Sequence, residues 1–216
     1  FDIVGYTGNG TDDTDISHNL SAVPKMIIVK NRGSNSTSWM IYHGANTAAP
    51  ETDYLALDTT AATADAATIW SDEAPTASVF TLGNGSDVNE NTKNIISYLW
   101  SEKQGFSKFG SYEGNGDVDG TFVYTGFKPA FVMTKSIDST SSWHQFDNKR
   151  EGYNKDNDAL VAEANTVEAT TDMIDLLSNG FKLRIATDPN VAETYIYMAF
   201  AEAPFVNSEG VPCNAR

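Results

Sequence analysis

The sequence predicts an all-β fold: two tandem antiparallel β-sandwich domains of the jelly-roll kind, related by internal duplication. Three observations lead there. Short runs of four to nine residues, rich in β-branched and aromatic side chains, recur along the chain. Clusters of Gly, Asn, Asp, Ser and Thr separate them, and no long helical period intervenes. The same short phrases also appear twice, in the same order, about a hundred residues apart.

Taken in order, the opening FDIVGYT reads as a strand. MIIVK (26–30), WMIY (39–42), DYLALD (53–58), ATIW (67–70), VFTL (79–82) and NIISYLWSE (94–102) follow. Turn-formers such as NRGSNSTS and GNGSDVNENT lie between them. The second half supplies FVYTGF (122–127), AFVMTK (130–135), WHQF (143–146), ALVAE (159–163), GFKLRI (180–185) and TYIYMAFAE (194–202). DAATIW and EATTDMIDLL each have room for a short helical turn, and 172–177 is the least strand-like stretch.

The duplication rests on six matched blocks. YTGNG (6–10) aligns with YEGNG (112–116), PKMIIVK with PAFVMTK, and WMIY with WHQF. VFTL aligns with GFKL, SDVN with TDPN, and ISYLWSE with IYMAFAE. The implied units are 1–105 and 106–205, with a tail at 206–216. Each holds enough strands for its own sandwich; one large concanavalin-like sandwich built from both is the alternative. In YTGNG and YEGNG an aromatic residue at a strand end runs into Asn-Gly, a turn signal because both turn positions accept φ > 0. A phosphate-cradling loop is excluded, since neither Lys nor a helix start follows. A third Gly-Asn-Gly at 83–85 also reads as a turn.

The 216 residues carry a formal charge of −15, spread evenly at −8 for 1–105 and −7 for 106–216. Such a surface repels phosphate backbones, so no nucleic-acid partner is expected. No apolar run reaches the roughly 18 residues of a membrane span, so no membrane insertion is expected. The single cysteine, Cys213, permits neither an intrachain disulfide nor a thiolate metal site. The chain begins inside a strand and without a signal peptide, and is expected to be a piece of something longer.

Catalytic signatures are lacking. His18, His43 and His144 occupy no shared position in the two units and read as surface or sheet-edge residues. Glu102 and Glu202 end equivalent strands and read as solvated charges. No enzyme activity and no cofactor are expected, with calcium the one ion to consider. Asn154, Asp156 and Asp158 place oxygen side chains at alternate positions, as calcium loops do, but Ala159 and Asn165 replace the Gly and Glu of the helix-loop-helix motif. TDDTD (11–15) and DVD (117–119) are similar oxygen-rich loops. Ligand-binding candidates are Trp39, Tyr42 and His43 in one unit and Trp143 and Asp147 in the other. Trp beside amides and carboxylates suits sugar recognition, while the competing reading is a core Trp that each unit needs.

The stretches SYEGNGDVDGTFVYTGFKPAFVMTK, SWHQFD and LLSNGFKLR, with VPKMIIVKNR, SWMIYH and AFAEAPF, resemble the repeat domain of virion proteins from phages of marine bacteria, cyanophages included. The resemblance covers nearly the whole chain. It implies lectin-like jelly-roll domains in a tail fibre or other structural protein at the virion surface. The partners it implies are other virion proteins and host-surface glycan, and for a fibre a homo-oligomer, usually a trimer. A ligand-free capsid decoration or scaffold protein is the second reading, and a polysaccharide depolymerase the third.

Overall fold

The computed structural model describes residues 1–150 and 158–204. The chain divides into two compact units, Phe1–Ser101 and Glu102–Arg216. Both are antiparallel β-sandwiches.

The first unit contains β1 (Asp2–Thr7), β2 (Thr14–Ser17), β3 (Met26–Asn31), β4 (Trp39–His43), β5 (Asp53–Ala56), β6 (Ala64–Asp65), β7 (Val79–Leu82) and β8 (Asn94–Trp100). The main sheet has the order β1-β8-β3-β4-β5-β6, and β2 pairs with β7. Strand alternation sends Ile27 and Val29, Met40 and Tyr42, and Ile95 and Leu99 to one face. Phe80 and Leu82 of β7 close that core from the other side, with Ile69, Trp70 and Val88. Ile69 and Trp70 belong to a single helical turn, α1 (Ala67–Trp70), which ends at Ser71 with φ 57°. This is the turn that DAATIW allows. Val88 sits in a second turn, α2 (Ser86–Asn89).

The second unit contains β9 (Ser107–Glu113), β10 (Phe122–Tyr124), β11 (Pro129–Ser136), β12 (His144–Asp147), β13 (Leu160–Val161), β14 (Ile174–Leu177), β15 (Gly180–Leu183) and β16 (Thr194–Ala201). One sheet runs β9-β16-β11-β12-β13 and the other β10-β15-β14. Tyr112, Val132, Phe146, Tyr195 and Tyr197 from the first meet Val123, Ile174, Leu176, Phe181 and Leu183 from the second. The stretch 172–177, least strand-like in sequence, is strand β14 from Ile174. Ile174 and Leu176 alternate into the core, and a two-residue connection at Ser178 and Asn179 pairs β14 with β15. Tertiary burial overrides weak local preference here.

In both units the first strand pairs with the last, and the last pairs with the strand that begins PKMIIVK or PAFVMTK. The repeated Gly-Asn-Gly phrase fixes this closure through a buried asparagine. Asn89 is fully buried, and its Nδ2 donates to Asn9 Oδ1 (3.1 Å), Thr11 O (2.8 Å) and Gly83 O (3.0 Å). Its Oδ1 accepts from Asn9 N at 2.9 Å, and its carbonyl accepts from Gly10 N at 2.8 Å. Asn190, also fully buried, repeats the set. Nδ2 reaches Asn115 Oδ1 (2.9 Å), Asp117 O (2.8 Å) and Ile185 O (2.7 Å), and its carbonyl accepts from Gly116 N at 2.6 Å. Tyr6 and Tyr112 donate their hydroxyls to Val88 O and Pro189 O, the carbonyls just before each asparagine.

Each glycine of the phrase has a separate reason. A Cβ on Gly8 would lie 2.2 Å from Glu90 O, and one on Gly114 would lie 1.9 Å from Val191 O. Gly10 and Gly116 take φ of +67° and +66°, which L side chains rarely adopt.

Asn89→Ala or Asn190→Ala leaves several buried backbone groups without partners. Each is expected to destabilise its unit by about 3 kcal/mol in chemical denaturation. A loss below about 1 kcal/mol would remove the asparagine from this role.

Candidate functional site

The densest group of buried polar side chains in the second unit gathers where β11 ends. β11 carries Lys135 and Ser136, and the following loop carries Ser139 and Ser141. Trp143 and His144 open β12, Glu163 follows β13, Asp188 follows β15, and Glu193 and Tyr195 lie at the start of β16. Thr134 pairs with His144 across the two strands, so His144 faces the core and Lys135 the opposite side of the sheet. The Lys135 ammonium turns back to the strand end and donates to Ser136 O (2.7 Å) and Ser139 O (3.5 Å).

Charge compensation in the group is indirect. Lys135 is fully buried, and no carboxylate of the described residues lies within ion-pair distance of its Nζ. Burial pushes its pKa down to about 8, against the pull of Asp188, Glu163 and Glu193. Burial also lowers the pKa of His144, again opposed by Asp188 and Glu163. Burial first, then the Asp188 charge, raises the Tyr195 phenol. Asp188 accepts from Ser141 Oγ (2.8 Å to each carboxylate oxygen) and from Tyr195 Oη (3.2 Å). Glu193 accepts from Ser136 and Ser139 at 2.7 Å each, and Glu163 accepts from Trp143 N at 3.1 Å.

This geometry does not make a nucleophile. In a serine relay the histidine takes the hydroxyl proton and the carboxylate orients the histidine. Here Ser141 bonds the carboxylate directly, and His144 Nδ1 stands 3.9 Å from Asp188 Oδ2, beyond hydrogen-bond reach. What the contacts do is tie loop 136–142, loop 187–193 and the strand ends together.

The first unit keeps part of the frame. Trp39 N donates to Asp58 at 3.1 Å, as Trp143 N does to Glu163, and Ser38 N donates to Asp87 at 2.7 Å. Lys30 donates to Thr37 O and stands 5.8 Å from the Trp39 ring centre. Met40 pairs with Val29 where His144 pairs with Thr134. Sequence reasoning passed over Lys30 and Lys135, although a lysine at matched positions in two apolar strands was a visible signal.

The residues picked from sequence are mostly inside. Tyr42 packs in the first core, and His43 and Trp143 are each 1% exposed, which leaves no ring face for a sugar. Trp39 is half-buried at the start of β4. Asp147 caps Lys149 N (2.8 Å) and Arg150 N (3.0 Å) and pairs with Arg150 Nε at 2.6 Å. Its burial opposes the charge, but Arg150 and the two amides win and hold its carboxyl below the usual range. Asn154 and Asp156 lie outside the described residues, and Asp158 is buried. Among the described residues, no three His, Cys, Asp or Glu side chains are grouped to hold a metal ion. The three histidines differ from the surface reading: His18, His43 and His144 are all buried.

A depressed pKa in the fold means that the unfolded chain binds the extra proton over the interval between the two values. For Lys135 that interval runs from about 8 up to 10.5, so stability rises with pH across it. For His144, stability falls as pH drops through the ordinary imidazole range. Lys135→Met is expected to raise the melting temperature at pH 7 and flatten its rise from pH 8 to 9.5. His144→Met, which copies the first unit, is expected to remove part of the loss below pH 6.5. Unchanged pH profiles in both variants would contradict this account.

One family model runs through both units: a domain of unknown function, DUF7483, matches residues 1–204. No curated protein matches the chain, and no solved structure does. With nearly its whole length inside that match, the chain belongs to the DUF7483 family.

Proposed function

We propose that this chain is a non-enzymatic virion structural protein, the outer part of a phage tail fibre or similar surface appendage, built by duplication of one β-sandwich. The observation that carries the reading is the clamp made twice: Asn89 and Asn190 close two sandwiches whose main sheets share the order of their first five strands, β1-β8-β3-β4-β5 and β9-β16-β11-β12-β13, and each Nδ2 reaches one asparagine side chain and two backbone carbonyls. A unit that closes itself in this way can be added in tandem without redesign. The resemblance of the repeated phrases to phage virion domains supports the same reading.

The buried polar residues favour structure over chemistry. Lys135, Asp188 and Ser141 are spent on holding loops, His144 stacks on Phe146, and Trp143 is buried. Its partners in this reading are other virion proteins and a host-surface glycan. Capsid decoration without a ligand is the second reading.

Gold-labelled antibody against the chain, applied to purified particles, tests the proposal. Label at the distal appendage is the expected outcome. Even label over the head would move the protein to the decoration reading, and label on no part of the particle would remove both. Release of reducing sugar from host polysaccharide by the purified chain would contradict the non-enzymatic role.

A further inference from the structure

The outward face of the β10-β15-β14 sheet carries two exposed rings. β10 sends Val123 into the core and leaves Phe122 43% and Tyr124 60% exposed. Across the sheet, Phe122 is followed by Lys182 and Asp175, and Tyr124 by Gly180 and Leu177. A Cβ on Gly180 would lie 2.1 Å from Val123 O and 3.1 Å from Phe122 Cε2. The position is therefore confined to glycine, and the Phe122 ring lies against bare backbone. Polar groups flank the rings. Lys182 pairs with Asp119 at 2.9 Å, Arg184 pairs with Asp175 at 2.5 Å, and Lys108 Nζ stands 5.7 Å from the Tyr124 ring centre.

The fold does not require these rings. In the first unit Ile16 of β2 faces Phe80, just as Val123 faces Phe181. The outward neighbours of Ile16 are Asp15 and Ser17, both exposed. The same strand is thus built once with polar outward residues and once with aromatic ones. A pair of partly exposed rings on a strand that the other unit builds with polar outward residues points to a ligand.

We infer that Phe122 and Tyr124 form a stacking platform for a neutral oligosaccharide, an assignment that rests on the appendage reading above. Sugar CH groups pack on the ring faces, and hydroxyls exchange hydrogen bonds with Lys182, Asp119, Arg184 and Asp175. Those four charges pair off, which leaves Lys108 beside the rings without an ion pair among the described residues, within a chain of net charge −15. A neutral ligand meets no net repulsion there, whereas an acidic polysaccharide meets the field of the whole chain. A protein partner fits poorly. Two half-exposed rings offer on the order of 200 Å² of apolar area, far below the roughly 800 Å² per partner of a stable interface.

The full chain and its Phe122→Ala/Tyr124→Ala variant are applied to a printed array of neutral and acidic oligosaccharides. The expected result is retention of neutral saccharides by the parent chain and a loss of about tenfold or more in the variant, at an unchanged melting temperature. Phe122→Asp/Tyr124→Ser copies the outward residues of β2 and serves as the second variant should the alanine pair unfold. A parent chain that binds no neutral saccharide, or variants that bind as well as the parent, overturns the platform. Either outcome leaves the particle labelling untouched, while a chain absent from particles defeats the appendage reading and leaves the array result standing.

Discussion

The buried carboxamide of Asn89, and that of Asn190, is the constraint on which each sandwich depends. An amide with no access to water must find partners for all its donors and acceptors, and here all of them are backbone or asparagine groups of two distant segments. Asn89 lies 80 positions from Asn9, and Asn190 lies 75 from Asn115. Satisfying one side chain therefore brings the turn after the first strand against the segment that leads into the last. The tyrosine two residues before each Gly-Asn-Gly turn adds a second tie to the same segment. The glycines allow the approach, since any Cβ at Gly8 or Gly114 would strike a carbonyl. Once that junction is set, the first strand can pair only with the last, and the core residues follow by alternation.

Local pattern made the strands legible. MIIVK, VFTL and TYIYMAFAE are dense in β-branched and aromatic residues, and all three are strands at nearly the expected bounds. The turn character of YTGNG was legible too, because Asn-Gly carries its conformational preference with it. What the turn is for was not: its partner is an ordinary-looking Asn in SDVN or TDPN, and nothing local marks that residue as buried. The same limit explains the histidines. Periodicity says which face of a strand a residue takes, but both faces of β4 are covered, so His43 is as inaccessible as Tyr42. Among the site residues, the competing reading of Trp143 as a core plug is the one its burial fits.

The polar cluster and its counterpart show how one frame accepts two chemistries. The backbone N–H of Trp39 or Trp143 is held by an acidic side chain in both units, so the start of that strand is anchored alike. Beyond the anchor the contents differ. Val29 against Met40 is an apolar cross-strand pair, and Thr134 against His144 is a polar one that brings Asp188, Ser141 and Tyr195 with it. Burying an imidazole costs solvation that the first unit avoids with Met40, and Lys135 is fully buried where the matched Lys30 is only partly so. What the cluster's contacts hold is one arrangement of loops 136–142 and 187–193, since each polar atom accepts few alternatives.

Comparison of like positions also separates the aromatic residues that the shared core uses from those it does not. Tyr42 and Phe80 are needed where they stand, because they lie in the first core and their counterparts Phe146 and Phe181 lie in the second. Phe122 and Tyr124 are not, because Asp15 and Ser17 serve the same strand positions in the first unit. In a chain with aromatic residues at 11% of its length, the count of rings says little. Exposure at a position where the other unit places a polar residue says more, because the shared strand frame does not itself call for a ring there.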